Sequence, residues 1–332
     1  MSEWLPLFFL GLMGVAVLVY AILDGYDLGV GMSLPMDRQQ KDQRDILIAS
    51  IGPFWDANET WLVLAIGVLL IAFPGAHSVI LKALYLPAAI MLAGLILRGV
   101  AFDFRAKAMA QFQYGWDWLF KIGSWVAALS QGYMLGHYVM GFQHSFAAYL
   151  FCVLSAVCVA AAYWYIGSAW LVLKTEGQVQ INAARLGRYA GWFTALGVAA
   201  ISVVNPLINP SVADRWFQLP EVILLLPIPM MCVLLLLLVD RYLARVPVKD
   251  DAGHWVPFLG AASLFVLCIL GFAYSYFPHV IPNGMTAQDA ASATNSLQFV
   301  FYGVVIVLPM IALYTGFSYW VFRGKTKDLT YY

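Results

Sequence analysis

Residues 5–31 read LPLFFLGLMGVAVLVYAILDGYDLGVG, an apolar run that carries no charge until Asp24 and Asp27 near its end. An α-helix rises about 1.5 Å per residue, so roughly 20 apolar residues cross the ~30 Å hydrocarbon core of a bilayer. The run is long enough for that. It predicts a membrane-spanning helix with two carboxylates close to one end.

The rest of the chain has the same character. Apolar residues make up 62% of the 332 residues and charged residues 11%, whereas a soluble domain carries about 25% charge. We predict an all-α polytopic protein, with residues 1–332 forming a single integral membrane domain. Its nine predicted transmembrane helices lie near residues 4–30, 48–73, 80–102, 119–141, 147–173, 189–208, 221–243, 256–277 and 297–322.

The basic residues predict the orientation, because loops rich in Lys and Arg stay in the cytoplasm. With the amino terminus outside and the carboxyl terminus in the cytoplasm, Lys82 and Arg215 fall outside and Arg98 lies within the third span. The other Lys and Arg residues, from Arg38 to Lys327, all fall on the cytoplasmic side. Residues 1–3 also lack the basic segment of a cleavable signal peptide.

A second acidic stretch, WDANETW at residues 55–61, leads into the second span. Asp24 and Asp27 are three residues apart, as are Asp56 and Glu59, so each pair shares a helix face. Consecutive helices with short connections usually pack together. One inner vestibule is therefore expected to collect the ionisable residues at this end of the first four spans: Asp24, Asp56, Glu59, Arg98, Asp103 and Asp117.

Ionisable residues inside a membrane cost about 2.5–3.5 kcal/mol each on insertion scales, and they usually mark ion or proton routes. A carboxylate chain beside Arg98 suits proton transfer. The alternative is that Arg98 pairs with one acid while the others cap helices or extend to the interface. At the level of function, a proton-coupled transporter and a purely structural scaffold subunit also remain open.

The sequence predicts no cofactor or metal site on this chain. Only His137 of the five histidines lies inside a span, without a second intramembrane histidine to pair with it. The four cysteines lie in spans and form no Cys-x-x-Cys motif, so we expect them to be small buried side chains. The formal net charge of zero gives no indication of a nucleic-acid partner.

Three motifs together resemble the second subunit of cytochrome bd-type quinol oxidases. They are DGYDLGVG at 24–31, GPFWDANETW at 52–61 and RGVAFDFR at 98–105, and WDW follows at 116–118. The compact loops look most like the shorter, cyanide-insensitive branch of that family.

The resemblance implies a fold of two four-helix bundles, at 1–141 and 147–277, with a peripheral helix at 297–322. It also implies a haem-bearing subunit I as partner, and a small single-helix accessory subunit in some complexes. Subunit I would hold haem b and haem d, or a haem b in place of haem d. The complex, in the bacterial cytoplasmic (inner) membrane, would oxidise quinol and reduce O₂ to water.

For individual residues, the resemblance places Asp24, Asp56, Asp103 and Asp117 on a proton path from the cytoplasm. Glu59 stands where some members have Gln, and we include it in the predicted path with Arg98 as its charge partner. The apolar wall near Trp61 would belong to an oxygen route. Subunit II of this family supplies no haem ligand, so no residue of this chain is expected to be catalytic in the strict sense.

Overall fold

The computed structural model describes residues 4–219 and 221–326, and in these ranges it contains helices but no β-strand. The only extended pairing among them is an isolated bridge between His279 and Thr286. Lys327, which the orientation argument places in the cytoplasm, lies outside the described residues, as do residues 1–3.

Thirteen α-helices follow one another along the described chain. They are α1 (Leu5–Met32), α2 (Lys41–Ile51), α3 (Trp55–Ala72), α4 (Pro74–Lys107), α5 (Ala110–Val139), α6 (Phe146–Lys174), α7 (Gly177–Ile208), α8 (Pro210–Phe217), α9 (Glu221–Leu225), α10 (Pro227–Leu243), α11 (Val256–Tyr276), α12 (Ala287–Ala290) and α13 (Thr294–Val321). Short 3₁₀ turns occupy Arg38–Gln40 and Lys249–Asp251.

Seven of the helices in the described ranges, α1, α3, α4, α6, α7, α11 and α13, are long and apolar enough to cross a membrane. The predicted spans 119–141 and 221–243 are also helical. However, α5 carries Lys121 and Gln131 within its apolar stretch, and the other span is interrupted at Leu226, which leaves 17 residues in α10. The structure thus confirms the sequence prediction of an all-helical protein with helices long and apolar enough to cross a membrane.

The second predicted span, 48–73, was placed too early. Residues 41–51 instead form the separate helix α2, and α3 begins at Trp55 after a turn through Gly52 and Pro53. Proline restricts the residue before it and cannot donate a backbone hydrogen bond, so this dipeptide readily interrupts a helix. The break places the acidic motif of 56–59 in the first turns of α3 rather than mid-helix.

Helix α1 lies at the centre of the molecule, against α3, α5, α6 and α11. Its contact with α6 is closest at Gly29, where an added Cβ would lie 1.9 Å from the backbone oxygen of Tyr163. Gly167 on α6 is equally tight against the backbone of Gly29. Gly29 and Gly167 therefore allow the two backbones to touch, while Gly25 makes room for the Tyr163 ring, which is the ordinary use of small residues in membrane helices.

Helix α13 lies at the edge, and Leu297 is its only fully buried residue among those described. Its carboxyl-terminal end nevertheless makes several specific contacts. The Tyr319 ring stacks on Phe54 with centroids 4.5 Å apart. Beyond the helix, the backbone N–H of Thr326 donates to the carbonyl oxygen of Lys174 at 2.7 Å, and Lys325 forms an ion pair with Asp251. The last helix is therefore tied to the amino-terminal end of α3 and the carboxyl-terminal end of α6.

Candidate proton-transfer site

Arg98 on α4 is fully buried and gathers three carboxylates from two other helices. Its Nη1 lies 2.9 Å from Asp24 Oδ1 and 3.2 Å from Glu59 Oε1, and its Nη2 lies 3.9 Å from Asp27 Oδ2. The side chains of Asp24 and Asp27 are also fully buried, whereas Glu59 is 28% exposed. We call these four residues the Arg98 cluster.

The surroundings of the cluster are partly aromatic. The Arg98 guanidinium lies 5.9 Å from the Trp55 ring centroid and 5.7 Å from that of Phe120, within the range of a cation–π contact. Three carboxyl groups share one guanidinium here, so full ionisation would leave two uncompensated negative charges in a poorly solvated place. A buried excess of charge is strongly unfavourable. The composition of the cluster therefore favours the uptake of a proton.

A hydrogen-bonded network leads from the cluster towards α13. Asn58 Nδ2 donates to Asp27 Oδ2 at 2.7 Å and to the Tyr26 hydroxyl at 2.9 Å. The Tyr319 hydroxyl donates to Asn58 Oδ1 at 3.1 Å and lies 2.6 Å from the Tyr26 hydroxyl. Asn58 is 1% exposed. Asn58 therefore binds the same oxygen of Asp27, Oδ2, that faces Arg98.

A second polar chain lies on the other side of the cluster, towards the membrane interior. Tyr20, one helical turn before Asp24 on α1, accepts a hydrogen bond from Gln131 Nε2 at 2.7 Å. The Tyr163 hydroxyl donates to Gln131 Oε1, also at 2.7 Å. These three polar side chains, on α1, α5 and α6, thus extend the polar region from Asp24 towards the middle of the membrane, where the surroundings are otherwise apolar.

Asp117 belongs to a separate cluster. Its two oxygens accept hydrogen bonds from Arg44 Nε at 2.8 Å and from Arg105 Nε at 2.5 Å, and Arg105 Nη2 also binds Asp45 at 2.5 Å. Asp117, Arg44 and Arg105 are buried. Two carboxylates and two guanidinium groups balance here, and together they connect α2, α4 and α5.

The expected single vestibule is therefore divided, and two of its predicted members lie elsewhere. Asp56 in the first turn of α3 and Asp103 near the end of α4 are exposed on the surface of this subunit. Neither makes an ion pair within the part of the chain that the structure describes. Packing against the neighbouring helices sets which helix face points inward, and the spacing of residues along the chain does not specify it; a proton role for Asp56 and Asp103 stays a prediction.

Trp61 lies two residues beyond Glu59, on the membrane side of the cluster. It is 7% exposed and packs in an apolar group with Ala16, Tyr20 and Ala65, beside Leu308 and Ile311 of α13. The wall predicted at Trp61 is thus built from α1, α3 and α13. Two of its members are alanines, so its surface near α1 is made partly of small side chains.

His137 is buried near the carboxyl-terminal end of α5, where aromatic rings lie around it. The ring centroids of Phe142 and His144 lie 5.6 Å from that of His137, and that of Tyr133 lies at 6.3 Å. Neither ring nitrogen of His137 has a hydrogen-bond partner among the described residues. Over the described ranges, no group of three or more His, Cys, Asp or Glu side chains could hold a metal ion.

Sequence reasoning missed several residues of the two clusters. Asn58 lies inside the motif at 52–61, between Asp56 and Glu59, and an uncharged amide at that position gives no signal of a buried charge site. Arg44 lies outside the quoted motifs and Arg105 is the last residue of the motif at 98–105, but neither position indicates an acid as its partner. Tyr319 has no local signal at all, since it reaches Asn58 across 261 positions of sequence.

Comparison with known proteins gives independent evidence on the family of this chain. The family model described as cytochrome bd terminal oxidase subunit II matches residues 5–322. The chain belongs to this family. The match covers all thirteen described helices, and it confirms the resemblance that the acidic motifs suggested.

Individual relatives of this subunit II are distant in sequence but similar in length. Cytochrome bd-I ubiquinol oxidase subunit 2 of Escherichia coli K12 is 27% identical, over 96% of this chain and 94% of that protein. Cytochrome bd ubiquinol oxidase subunit 2 of Bacillus subtilis 168 is also 27% identical, over 95% of each chain. A chain in the structure of the bd oxidase from Geobacillus thermodenitrificans superposes with a TM-score of 0.73 at 16% identity, covering 93% of this chain and 97% of that one. The structural match establishes that the fold is shared.

Proposed function

We propose that this chain is the subunit of a bd-type terminal oxidase that brings cytoplasmic protons towards the site of O₂ reduction. Its partner would be subunit I, which would carry haem b and haem d, or a haem b in place of haem d, and there electrons from quinol would reduce O₂. The observation that supports a proton role for this chain is the Arg98 cluster, in which three carboxyl groups share one buried guanidinium.

The proposed topology has nine spans, with the amino terminus outside and the carboxyl terminus in the cytoplasm of a bacterial inner membrane. Two four-helix bundles and the peripheral helix α13 would make up the fold, although α6 packs on α1 and α5 as well as on α7. In this orientation the Arg98 cluster lies near the cytoplasmic ends of α1, α3 and α4. The assignment to the cyanide-insensitive branch and a small accessory subunit stay predictions.

We infer a route that enters at Asp56 and Asp103, passes to Glu59 and reaches Asp24. Asp56 and Asp103 are exposed at the inner ends of their helices, where water or subunit I can contact them. Glu59 follows Asp56 by three residues on α3 and is the only partly exposed member of the cluster. Glu59 and Asp24 both accept a hydrogen bond from Arg98 Nη1. A proton that reaches Glu59 is therefore separated from Asp24 only by this guanidinium nitrogen.

From Asp24 towards the middle of the membrane, the side chains of Tyr20, Gln131 and Tyr163 can pass or orient a proton towards subunit I. Asp117 is better suited to holding α2, α4 and α5 together, because two guanidinium groups occupy its oxygens. The apolar wall around Trp61 is the part of the chain that suits an oxygen route, since it offers small apolar side chains and no charge.

The variants Asp56→Asn and Glu59→Gln test the proton route in the purified complex. Each keeps the shape and hydrogen bonding of the side chain but cannot exchange a proton. Removing an acid–base group typically slows a reaction by about 10²–10⁴, and a parallel water route would reduce the loss. We expect quinol-dependent O₂ consumption to fall while the haem absorption spectrum stays unchanged.

Asp42→Asn is the matched control, because Asp42 is an exposed acid on α2 at the same end of the molecule and makes no described contact with the Arg98 cluster. Normal turnover of both test variants in an intact complex would refute the route.

Purification from native membrane separates the two remaining alternatives. A transporter would turn over alone, and a scaffold subunit would co-purify with a haem-bearing partner yet tolerate both substitutions.

A further inference from the structure

Lys174, the last residue of α6, is a buried lysine whose contacts include no carboxylate. Its side chain is 4% exposed. Within the described ranges its ammonium group donates to two backbone oxygens, that of Phe322 and, at 3.0 Å, that of Gly324. Its Nζ also lies 5.4 Å from the ring centroid of Phe54 and 5.3 Å from that of Trp170. A buried charge without a counter-charge is costly, so these contacts call for an explanation other than packing alone.

The two carbonyl groups that Lys174 binds belong to the stretch that follows α13. We call residues Phe322–Thr326 the carboxyl-terminal segment. The backbone N–H of Thr326 donates to the carbonyl oxygen of Lys174 at 2.7 Å. Lys325 donates to two backbone oxygens at the end of α6, at 3.0 and 3.3 Å, and forms an ion pair with Asp251. The segment therefore docks on the carboxyl-terminal end of α6, where the last carbonyl groups of a helix lack partners within it.

Tyr319 lies on α13 one turn before this segment, and it contacts the same aromatic ring as Lys174. The Tyr319 and Phe54 rings are stacked, with centroids 4.5 Å apart and an interplanar angle of 26°. Phe322 meets the Phe54 ring edge-on at 6.0 Å. Lys174 thus contacts both the backbone of the carboxyl-terminal segment and the ring on which Tyr319 stacks.

The hydroxyl of Tyr319 closes a cycle of three hydrogen bonds, which we call the Asn58 triad (Asn58, Tyr26 and Tyr319). Asn58 Nδ2 donates to the Tyr26 hydroxyl at 2.9 Å, and the Tyr319 hydroxyl donates to Asn58 Oδ1 at 3.1 Å. The two tyrosine oxygens lie 2.6 Å apart. A hydroxyl has one hydrogen to donate, and Tyr319 gives its own to Asn58, so Tyr26 donates to Tyr319. Each member of the triad therefore donates once and accepts once within it.

The triad orients the amide that binds Asp27. Asn58 Nδ2 donates to Asp27 Oδ2 at 2.7 Å and lies 3.4 Å from the carbonyl oxygen of Leu23. Asp27 Oδ1 is buried without a hydrogen-bond partner among the described residues, and Arg98 Nη2 is 3.9 Å from Oδ2, beyond hydrogen-bond distance. The amide of Asn58 thus provides the hydrogen bond that orients this carboxyl group. Tyr319 occupies the amide oxygen and so favours the orientation in which the nitrogen faces Asp27.

We propose that Lys174 is a positioning residue for Asp27 of the Arg98 cluster. Lys174 holds the carboxyl-terminal segment on α6, and the docked segment fixes the end of α13. There Tyr319 closes the triad, and Asn58 orients Asp27. The consequence for turnover rests on the proposed proton role of the cluster, whereas the positioning itself does not. If Lys174 instead only anchors the last helix, its loss would act independently of the Tyr319 hydroxyl.

A double-variant cycle in thermal unfolding of the purified oxidase complex tests the link between Lys174 and Tyr319. Lys174→Met keeps most of the apolar stem and removes the ammonium group, and Tyr319→Phe removes only the hydroxyl. Coupled residues show non-additive losses, so we expect the double variant to unfold at about the same temperature as Lys174→Met. Losses that add would overturn the proposal, and so would an equal loss in the control Lys107→Met, an exposed lysine at the end of α4. If Lys174→Met does not assemble, Lys325→Met removes contacts of the same segment and replaces it in the cycle.

The pH profile of quinol-dependent O₂ consumption tests the effect on the cluster. Loss of one hydrogen bond to a carboxyl group corresponds to a shift of about 0.4–1.1 pH units. We expect Lys174→Met and Tyr319→Phe each to move the pH of half-maximal turnover by this amount in the same direction, and Lys107→Met to leave it unchanged. A profile that changes in Glu59→Gln but in neither variant would overturn the positioning role. If Glu59→Gln is also normal, the proposed function fails, and the unfolding cycle alone decides whether Lys174 acts through Tyr319.

Discussion

Replacing Arg98 with leucine should destabilise the assembled complex severely. Arg98 is fully buried and makes contacts of 2.9, 3.2 and 3.9 Å with three carboxylates, two of them fully buried as well. Removing one partner of a buried ion pair typically costs about 3–5 kcal/mol, because the remaining charge is left uncompensated. That corresponds to a fall of roughly two to three and a half orders of magnitude in the ratio of folded to unfolded protein.

The yield of intact complex and its thermal unfolding in one fixed detergent measure the effect. Arg188→Leu serves as the matched control, because Arg188 and Asp240 form an ion pair of the same 2.9 Å length whose side chains are 45% and 24% exposed. Exposed ion pairs contribute about 0–1 kcal/mol. We therefore expect Arg98→Leu to lower the unfolding temperature clearly and Arg188→Leu to leave it almost unchanged.

A double variant separates lost charge compensation from lost packing. Arg98→Leu combined with Asp24→Asn removes the carboxylate nearest to the guanidinium, so part of the stability should return. Wild-type stability of the single variant would refute the reasoning, because it would mean that the carboxylates are neutral without Arg98 at no cost. Equal damage from Arg98→Leu and Arg188→Leu would show that burial does not decide the strength of these ion pairs.

Two further substitutions test other parts of the structure. Tyr319→Phe removes a hydroxyl that contacts Asn58 and Tyr26, so it should cost about 0.5–1.5 kcal/mol per hydrogen bond in thermal unfolding of the complex. Tyr314→Phe, on an exposed face of the same helix, should cost nothing, and equal losses would contradict the network. His137→Ala should leave every haem absorption band of the purified complex unchanged. Loss of one haem per complex would place a ligand on this chain.

The sequence by itself determined the class of the protein and the location of its acids along the chain. Long uncharged runs such as residues 5–23 can only be membrane helices, because every backbone polar group in a bilayer must be bonded internally. The motifs at 24–31, 52–61 and 98–105 were enough to identify the family. The contact of Arg98 with buried acids also follows from the sequence, since lone ionisable side chains are too costly in a membrane.

Only the tertiary structure decided which acids meet. Rotation of a helix about its axis is set by packing against all its neighbours, and the weak amphipathicity of membrane helices does not encode it locally. For this reason Asp27 turned inward with Asn58 as its partner, whereas Asp56 and Asp103 turned outward and Asp117 joined Arg44 and Arg105. Contacts over long sequence distances, such as that of Tyr319 with Asn58, arise from the docking of α13, which no local pattern near either residue specifies.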